Sequence, residues 1–215
     1  MSPRVADPAI AVAMVEAGAR LIADHEPLST RRLAAEVGTS TSAVYTHFGS
    51  ITDVRRAIRR VGFERLAEYQ AFDRTDDPVA DVVKQGWAYC RNALVNPNMY
   101  RVMFMEAPVD ESDAEIGLYT FQALVDEVQR CVDAGRFHGA AGDLAMQLWA
   151  STHGVVALHL AGMLDAAQVD HMTFAIARAL FISFSDDPSK ADASFGRAGE
   201  WISEHHTGSG ATRPE

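Results

Sequence analysis

Leu28-Ser-Thr-Arg-Arg-Leu-Ala-Ala-Glu-Val-Gly38, followed directly by Thr39-Ser-Thr-Ser-Ala-Val-Tyr-Thr-His-Phe48, is the stretch that decides how this chain folds. Ser29 can cap a short helix through Val37, because its hydroxyl accepts an orphan backbone N–H of the first turn. Gly38 supplies the left-handed residue that ends this helix, and Ser40 can cap a second from Thr41 to about His47. Two brief helices joined by a tight glycine turn make a helix-turn-helix. Leu33, Ala34, Val37, Val44 and Phe48 fall on one apolar side, which can lock the pair onto a preceding helix. The spacing of Ile10, Met14, Val15, Ala17, Leu21 and Ile22 predicts that helix, ending before Pro27.

The other side of the second short helix is small and polar. A helix of this kind fits the major groove, where base edges display donors, acceptors and methyl groups. Ser40, Thr41 and Ser42 offer hydroxyls and helix N-terminal amides to phosphates, Ala43 and Thr46 are short enough to approach base edges or thymine methyls, and Tyr45 and His47 can donate to the backbone. Taken singly, Tyr45 reads as a core aromatic and His47 as a cation at a helix C-terminus. The arrangement as a whole points to DNA.

Downstream, a longer helix is expected from about Ile51 to Phe72, with Val54, Ile58, Val61 and Leu66 inward and Arg55, Arg56, Arg59 and Arg60 exposed. Such an arginine cluster is by default a solvated face; its adjacency to the recognition helix opens a phosphate role. Asp73 to Pro78 is the natural boundary. Beyond it the spacing predicts helices from Val79 to Leu94, from Met99 to Met105, and three long ones near Asp113 to Ala134, Gly142 to Gly162 and Ala166 to Ser185. The Gly/Ser/Thr-rich tail from Thr207 is expected to be disordered. No run alternates with period two, so the fold reads as all-α.

Composition agrees with a globular chain: 48% of the 215 residues are hydrophobic and 22% charged. No stretch approaches the roughly 20 uninterrupted apolar residues of a membrane span, and the N-terminus lacks the basic region and apolar block of a signal peptide, so no membrane association and a cytoplasmic location are expected. Cys90 and Cys131 lie inside helical patterns without a CxxC or Cys/His pairing, and read as buried thiols with no metal or other cofactor. The net charge of −10 conceals an asymmetry: residues 1–65 carry nine arginines against seven acidic residues, a net of +2, which leaves −12 for the remainder. Only the front of the chain can comfortably face phosphates.

With these residues in view, the run from Leu28 to Phe48, and above all its Val-Tyr-x-His-Phe ending, resembles the N-terminal domain of TetR/AcrR transcriptional regulators over about residues 8 to 60. The resemblance implies a phosphate contact for Thr30, a base or phosphate contact for Arg31, groove contacts for Thr41, Ser42, Ala43 and Thr46, and phosphate contacts for Tyr45 and His47. One position departs. The family usually has a lysine at the start of the fourth helix, where this chain has Ile51; losing one phosphate partner should lower the salt dependence of binding by about one unit. Arg55 or Arg56 a turn later, or a mobile arm carrying Arg4, are the candidate substitutes.

Further on, Trp149-Ala-Ser-Thr-His153-Gly154 looks like the WHG motif of one class of TetR C-terminal domains. Gly154 inside a helix costs about 1 kcal/mol relative to alanine, which implies close approach of a neighbouring helix or backbone. His153 lies one turn beyond Trp149 on the same face, either as a hydrogen-bonded core histidine or as a ligand contact. Trp87, Tyr89, Met99, Met103, Phe104, Met105, Phe121 and Trp149 are the residues expected to line an internal cavity, if they are not ordinary core.

The resemblance implies an organisation as well. Residues 1–50 form a DNA-binding domain, 51–72 a connecting helix, 73–187 a ligand-binding and dimerisation domain, and 188–215 a partly disordered tail. A homodimer through the last two long helices, where Ala150, Gly154, Ala157, Ala161, Ala175 and Ala179 permit close approach, would present two recognition helices to double-stranded operator DNA. A largely apolar small-molecule effector would release it, with repression the expected sign. An enzyme is not expected, since the sequence holds no Glu-x-x-His pair, His-Glu-x-x-His, Gly-x-Ser-x-Gly or phosphate-cradling loop. The alternative from another class is a dimeric helical module that binds small molecules or partners, with weak or no DNA binding.

Overall fold

The computed structural model describes residues 7–206, so Arg4 and the tail from Thr207 lie outside the described residues. Within them run ten helices and no strand: α1 (Pro8–Ala23), α2 (Thr30–Val37), α3 (Thr41–Phe48), α4 (Ile51–Tyr69), α5 (Pro78–Val95), α6 (Pro97–Phe104), α7 (Glu111–Asp133), α8 (Ala141–Leu160), α9 (Ala166–Ser183) and α10 (Pro188–His206). No described helix is long and apolar enough to cross a membrane. Two compact units emerge. One takes the chain up to Glu68 together with Val95–Thr120, and the other takes Tyr69–Leu94 and continues from Phe121.

The first unit is built on the local signals. Ser29 accepts the Arg32 N–H at 3.2 Å and Ser40 the Ala43 N–H at 3.3 Å, while Gly38 turns the chain at φ +70°. Packing of α1 against α2 and α6, and of α2 against α3, encloses Met14, Leu21, Leu33, Val44, Val54 and Ile58. The short α6 begins two residues before the expected Met99, because Pro97 occupies its first helical position, where a missing N–H is no loss.

The arginine face of α4 requires a correction. Arg59, expected in solvent, is 5% exposed. Its guanidinium donates to the carbonyls of Val102 at 3.0 Å and Met103 at 2.7 Å, at the end of α6 where helix carbonyls lack intrahelical partners. Its Nε lies 2.9 Å from Asp113 Oδ2, off the N–H line, so that contact is ionic rather than a well-aligned hydrogen bond. All three partners lie more than forty positions downstream, beyond anything helical spacing can register.

In the second unit Val79 and Val83 of α5, Val128 and Cys131 of α7, Leu144, Ala145 and Leu148 of α8, and Phe137, Phe181 and Phe184 form one apolar cluster. Cys90 and Cys131 are buried free thiols. Residues 188–206, assigned to the tail from sequence, form α10, which packs against α9. Its buried face is Ala191, Ser194 and Ala198 with Phe195 partly covered, too small and too polar a stripe to stand out as amphipathic. Ion pairs hold this end of the unit together: Arg197 with Asp77, and Arg136 with Asp186 at 2.6 Å.

Candidate nucleic-acid interface

Val44 is fully buried, and this single anchor decides which way α3 faces. Ser40, Thr41, Ser42, Tyr45 and Thr46 are exposed, and Ala43 and His47 are partly so. Tyr45, which as a core aromatic would be buried, is 57% exposed. Some of the hydroxyls are already engaged. Ser40 and Ser42 share a hydrogen bond of 2.8 Å, and Thr46 donates to the Ser42 carbonyl at 2.9 Å, which leaves its oxygen lone pairs and methyl as outward-facing groups.

On α2, Thr30 is partly exposed and Arg31 is exposed, with no ion pair to Arg31 among the described residues. Its neighbour Arg32 is held by Glu26 at 2.8 Å and Glu36 at 3.1 Å. The four arginines at the start of α4 likewise have four different fates. Arg56 bonds Asp53 at 2.5 Å and also Asp110; Arg59 is buried; Arg60 stands 3.7 Å from Glu64. Arg55 alone of the four, partly exposed, has no ion pair among the described residues. Ser50 links α3 to α4, accepting the Asp53 N–H at 3.1 Å and donating to its carboxylate at 2.5 Å. The Ser50 hydroxyl and Arg56 hold the Asp53 carboxyl below its ordinary range, so it stays ionised and paired with Arg56 just beyond α3.

The residues expected to line a ligand cavity are distributed by the fold. Phe121, Trp149 and His153 come together in the second unit, with ring centroids 5.1 Å apart for Phe121–Trp149 and 4.5 Å for Trp149–His153. Tyr89 joins them, its hydroxyl 2.9 Å from His153 Nε2. Trp87, two positions away on α5, meets Trp201 of α10 edge-on at 6.0 Å, with Arg91 over its ring at 5.8 Å. Met103 and Phe104 belong to the first unit, where Phe104 packs on Phe63 at 5.4 Å and Tyr100 at 5.0 Å, and Met103 lies under Gly62. Met99 is also buried there, while Met105 is 52% exposed. Sequence reasoning passed over Gln85 and Asn92, buried polar residues whose helical spacing with Tyr89 was the available signal.

His153 shows why an interior histidine matters. Its Nδ1 lies 3.1 Å from the Trp149 carbonyl, which can only accept, so that contact needs the proton on Nδ1; the Tyr89 hydroxyl stands 3.0 Å from Nδ1 and 2.9 Å from Nε2, and in this tautomer only Nε2 can accept from it. Burial pulls its pKa from the ordinary 6.5 to about 4, partly opposed by the Trp149 carbonyl. Between those values the unfolded chain binds the proton and the folded one does not. The neutral imidazole therefore contributes stability that is complete above pH 6.5 and is lost as the pH falls toward 4. Replacing His153 with Gln should flatten the fall in melting temperature over that window, read by thermal denaturation at stepped pH; an unchanged slope would mean that His153 already carries its proton in the fold.

A capped, glycine-turned helix pair with an outward polar face, followed by an all-α second unit, defines a helix-turn-helix regulator. Residues 14–58 match the family described as bacterial regulatory proteins, tetR family, and residues 82–180 that described as Tetracyclin repressor-like, C-terminal domain. The chain belongs to the TetR family of DNA-binding transcriptional regulators. An uncharacterized HTH-type transcriptional regulator of Mycobacterium tuberculosis is 30% identical over 149 residues, covering 67% of this chain and 66% of that protein. Among solved structures, a protein of unknown function from Rhodococcus sp. RHA1 shares the fold at a TM-score of 0.70 and 24% identity, over 86% of this chain and 99% of that one. The TetR family transcriptional regulator PfmR from Thermus thermophilus does so at a TM-score of 0.65 and 17% identity, over 78% of this chain and 96% of that one.

Proposed function

We propose that the chain acts as a homodimeric repressor that grips a near-palindromic operator and lets go when a small molecule occupies its second unit. The observation that carries DNA binding is the outward face of α3, where Thr41, Ser42, Tyr45 and Thr46 stand exposed over the buried Val44. The contacts proposed are Thr30 and Arg31 from α2, then Ser40, Thr41, Ser42, Ala43, Tyr45, Thr46 and His47. Arg55 completes the set. Side chains on a helix lean toward its N-terminus, so Arg55 covers the turn that begins at the uncharged Ile51, which only two residues separate from the end of α3.

Support for the dimer comes from an apolar face that the chain leaves uncovered. Met146, Ala150, Gly154, Ala157, Leu158 and Ala161 on α8 or at its end, and Met172, Ala175 and Ala179 on α9, are all exposed. A Cβ on Gly154 would meet nothing within 4 Å among the described residues. The close approach that a mid-helix glycine serves therefore has to come from outside. Two subunits related by a two-fold axis would set their recognition helices roughly 34–36 Å apart to match successive major grooves. An effector that binds only a different spacing weakens DNA binding, and DNA weakens effector binding by the same factor.

The test is fluorescence anisotropy of the purified protein on the DNA upstream of its own gene, across a salt series, with scrambled DNA and Tyr45→Ala as controls. Tight, salt-sensitive binding lost with either control is the expected result. Arg55→Ala should lower the slope of log K against log salt by about 0.9, the value of one phosphate contact, while Arg60→Ala leaves it unchanged. Equal, weak binding to both DNAs overturns the repressor in favour of an interaction module, which the net charge of −10 and Ile51 would then explain.

A further inference from the structure

One face of α5 is polar and yet buried. Gln85, Tyr89 and Asn92 recur at helical spacing and are 7%, 6% and 1% exposed. Apolar side chains at those positions would serve the core better unless each polar group finds a partner. Tyr89 has His153. Gln85 differs: its Oε1 is closed off from solvent, and among the described residues no donor reaches it. Its backbone carbonyl takes a hydrogen bond from Gln70 at 3.4 Å, so the side-chain amide is what remains. Buried amide oxygens nearly always have a partner, and an exception calls for an explanation.

The surroundings narrow that explanation. One turn along α5, Tyr89 leads into the aromatic group of His153, Trp149 and Phe121. Positive charge is committed elsewhere: Lys84 and Arg130 bind Asp81 at 2.9 and 3.0 Å, Arg136 binds Asp186, and Arg91 lies over Trp87, two positions round the helix from Tyr89. His153 is neutral at physiological pH, as its lowered pKa requires.

We infer that Gln85 reads the polar end of the effector, an uncharged molecule whose apolar body ends in a group with both a hydrogen-bond donor and an acceptor, such as an alcohol or a primary amide. The inference rests on the second unit being the effector site. A side-chain amide presents an acceptor and a donor on adjacent atoms, which such a group can match. A carboxylate offers acceptors only and brings a charge among cations already engaged by Asp81, Asp186 and the Trp87 ring, while an ester brings no donor. Gln85 is then a residue kept for recognition at the expense of stability in the ligand-free protein.

The experiment is thermal denaturation of the full chain with 1-decanol, decanamide, decanoate or methyl decanoate, on the wild type and on Gln85→Leu. Decanol and decanamide should raise the melting temperature of the wild type to saturation, with affinity roughly tenfold or more above that of decanoate and the methyl ester. Without any probe, Gln85→Leu should melt roughly 2–4 °C higher, since an apolar group of similar size replaces the orphaned oxygen, and its preference among the probes should vanish. A lower melting temperature for Gln85→Leu overturns the inference by making the amide structural, as does a wild-type preference for decanoate or stabilisation by none of the four. Operator binding separates this from the regulator itself. Decanoate that binds and releases operator DNA removes the uncharged class and keeps the ligand-released repressor, whereas failure to bind DNA without any probe removes the repressor.

Discussion

Asp113→Ala is expected to lower the melting temperature of the protein by roughly 6–20 °C. Asp113 and Arg59 face each other with side chains 0% and 6% exposed, 2.9 Å apart. Removing one partner of a buried pair leaves an uncompensated charge, at a cost of about 3–5 kcal/mol, and each kcal/mol moves the midpoint of a chain this size by about 2–4 °C. Asp113 also accepts the Val109 N–H at 2.8 Å, and Asp110, which caps α7, takes Arg56. The loss therefore falls on the whole segment between α6 and α7. The double variant Arg59→Met/Asp113→Leu tests the cause, because replacing both charges with apolar groups of similar volume should return most of the stability. A single variant that melts within a degree or two of wild type would mean that water reaches this pair. Since only two residues separate α4 from α3, operator affinity of the single variant should fall together with its stability.

Gly154→Trp is expected to convert the proposed dimer into a monomer and to weaken operator binding by about a hundredfold or more, the usual value of holding two sites at once. The fold of each chain should survive, because a side chain at this position points into open space within its own chain and tryptophan is a better helix former than glycine. Sedimentation velocity reads the assembly and far-ultraviolet circular dichroism the helix content. Gly154→Ala refines the result. In isolation alanine favours the helix by about 1 kcal/mol, so a dimer weakened by this one methyl identifies a close helix–helix contact at Gly154. A Gly154→Trp protein that stays dimeric with full operator affinity would place the interface on another surface.

Legibility from sequence followed the range of the physical cause. The helix-turn-helix was readable because its determinants are local: Ser29, Gly38 and Ser40 act within three or four residues of themselves, and Val44 needs only its helical phase to turn Tyr45 outward. α10 was not readable. Its buried positions are Ala191, Ser194 and Ala198, whose burial depends on α9 and on the Arg197–Asp77 and Arg136–Asp186 pairs, made across 120 and 50 residues. Trp87 and Tyr89 are near neighbours in sequence, yet two positions on a helix are turned away from each other: Tyr89 meets His153 and Trp87 meets Trp201.

The arginines of α4 mark the limit most clearly. By periodicity Arg55, Arg56, Arg59 and Arg60 are four long cations on one helix, and nothing in the local pattern distinguishes a phosphate contact from a structural bolt. The sequence by itself determined the all-α class and the capped helix pair with the phase of α3, since these depend on interactions between residues a few positions apart. The tertiary structure decided which charges are free, because a charge is free or spent according to what faces it: Asp110 takes Arg56 and Asp113 takes Arg59 from more than fifty residues away, Glu64 stands beside Arg60, and Arg55, partly exposed, is left without an ion pair among the described residues.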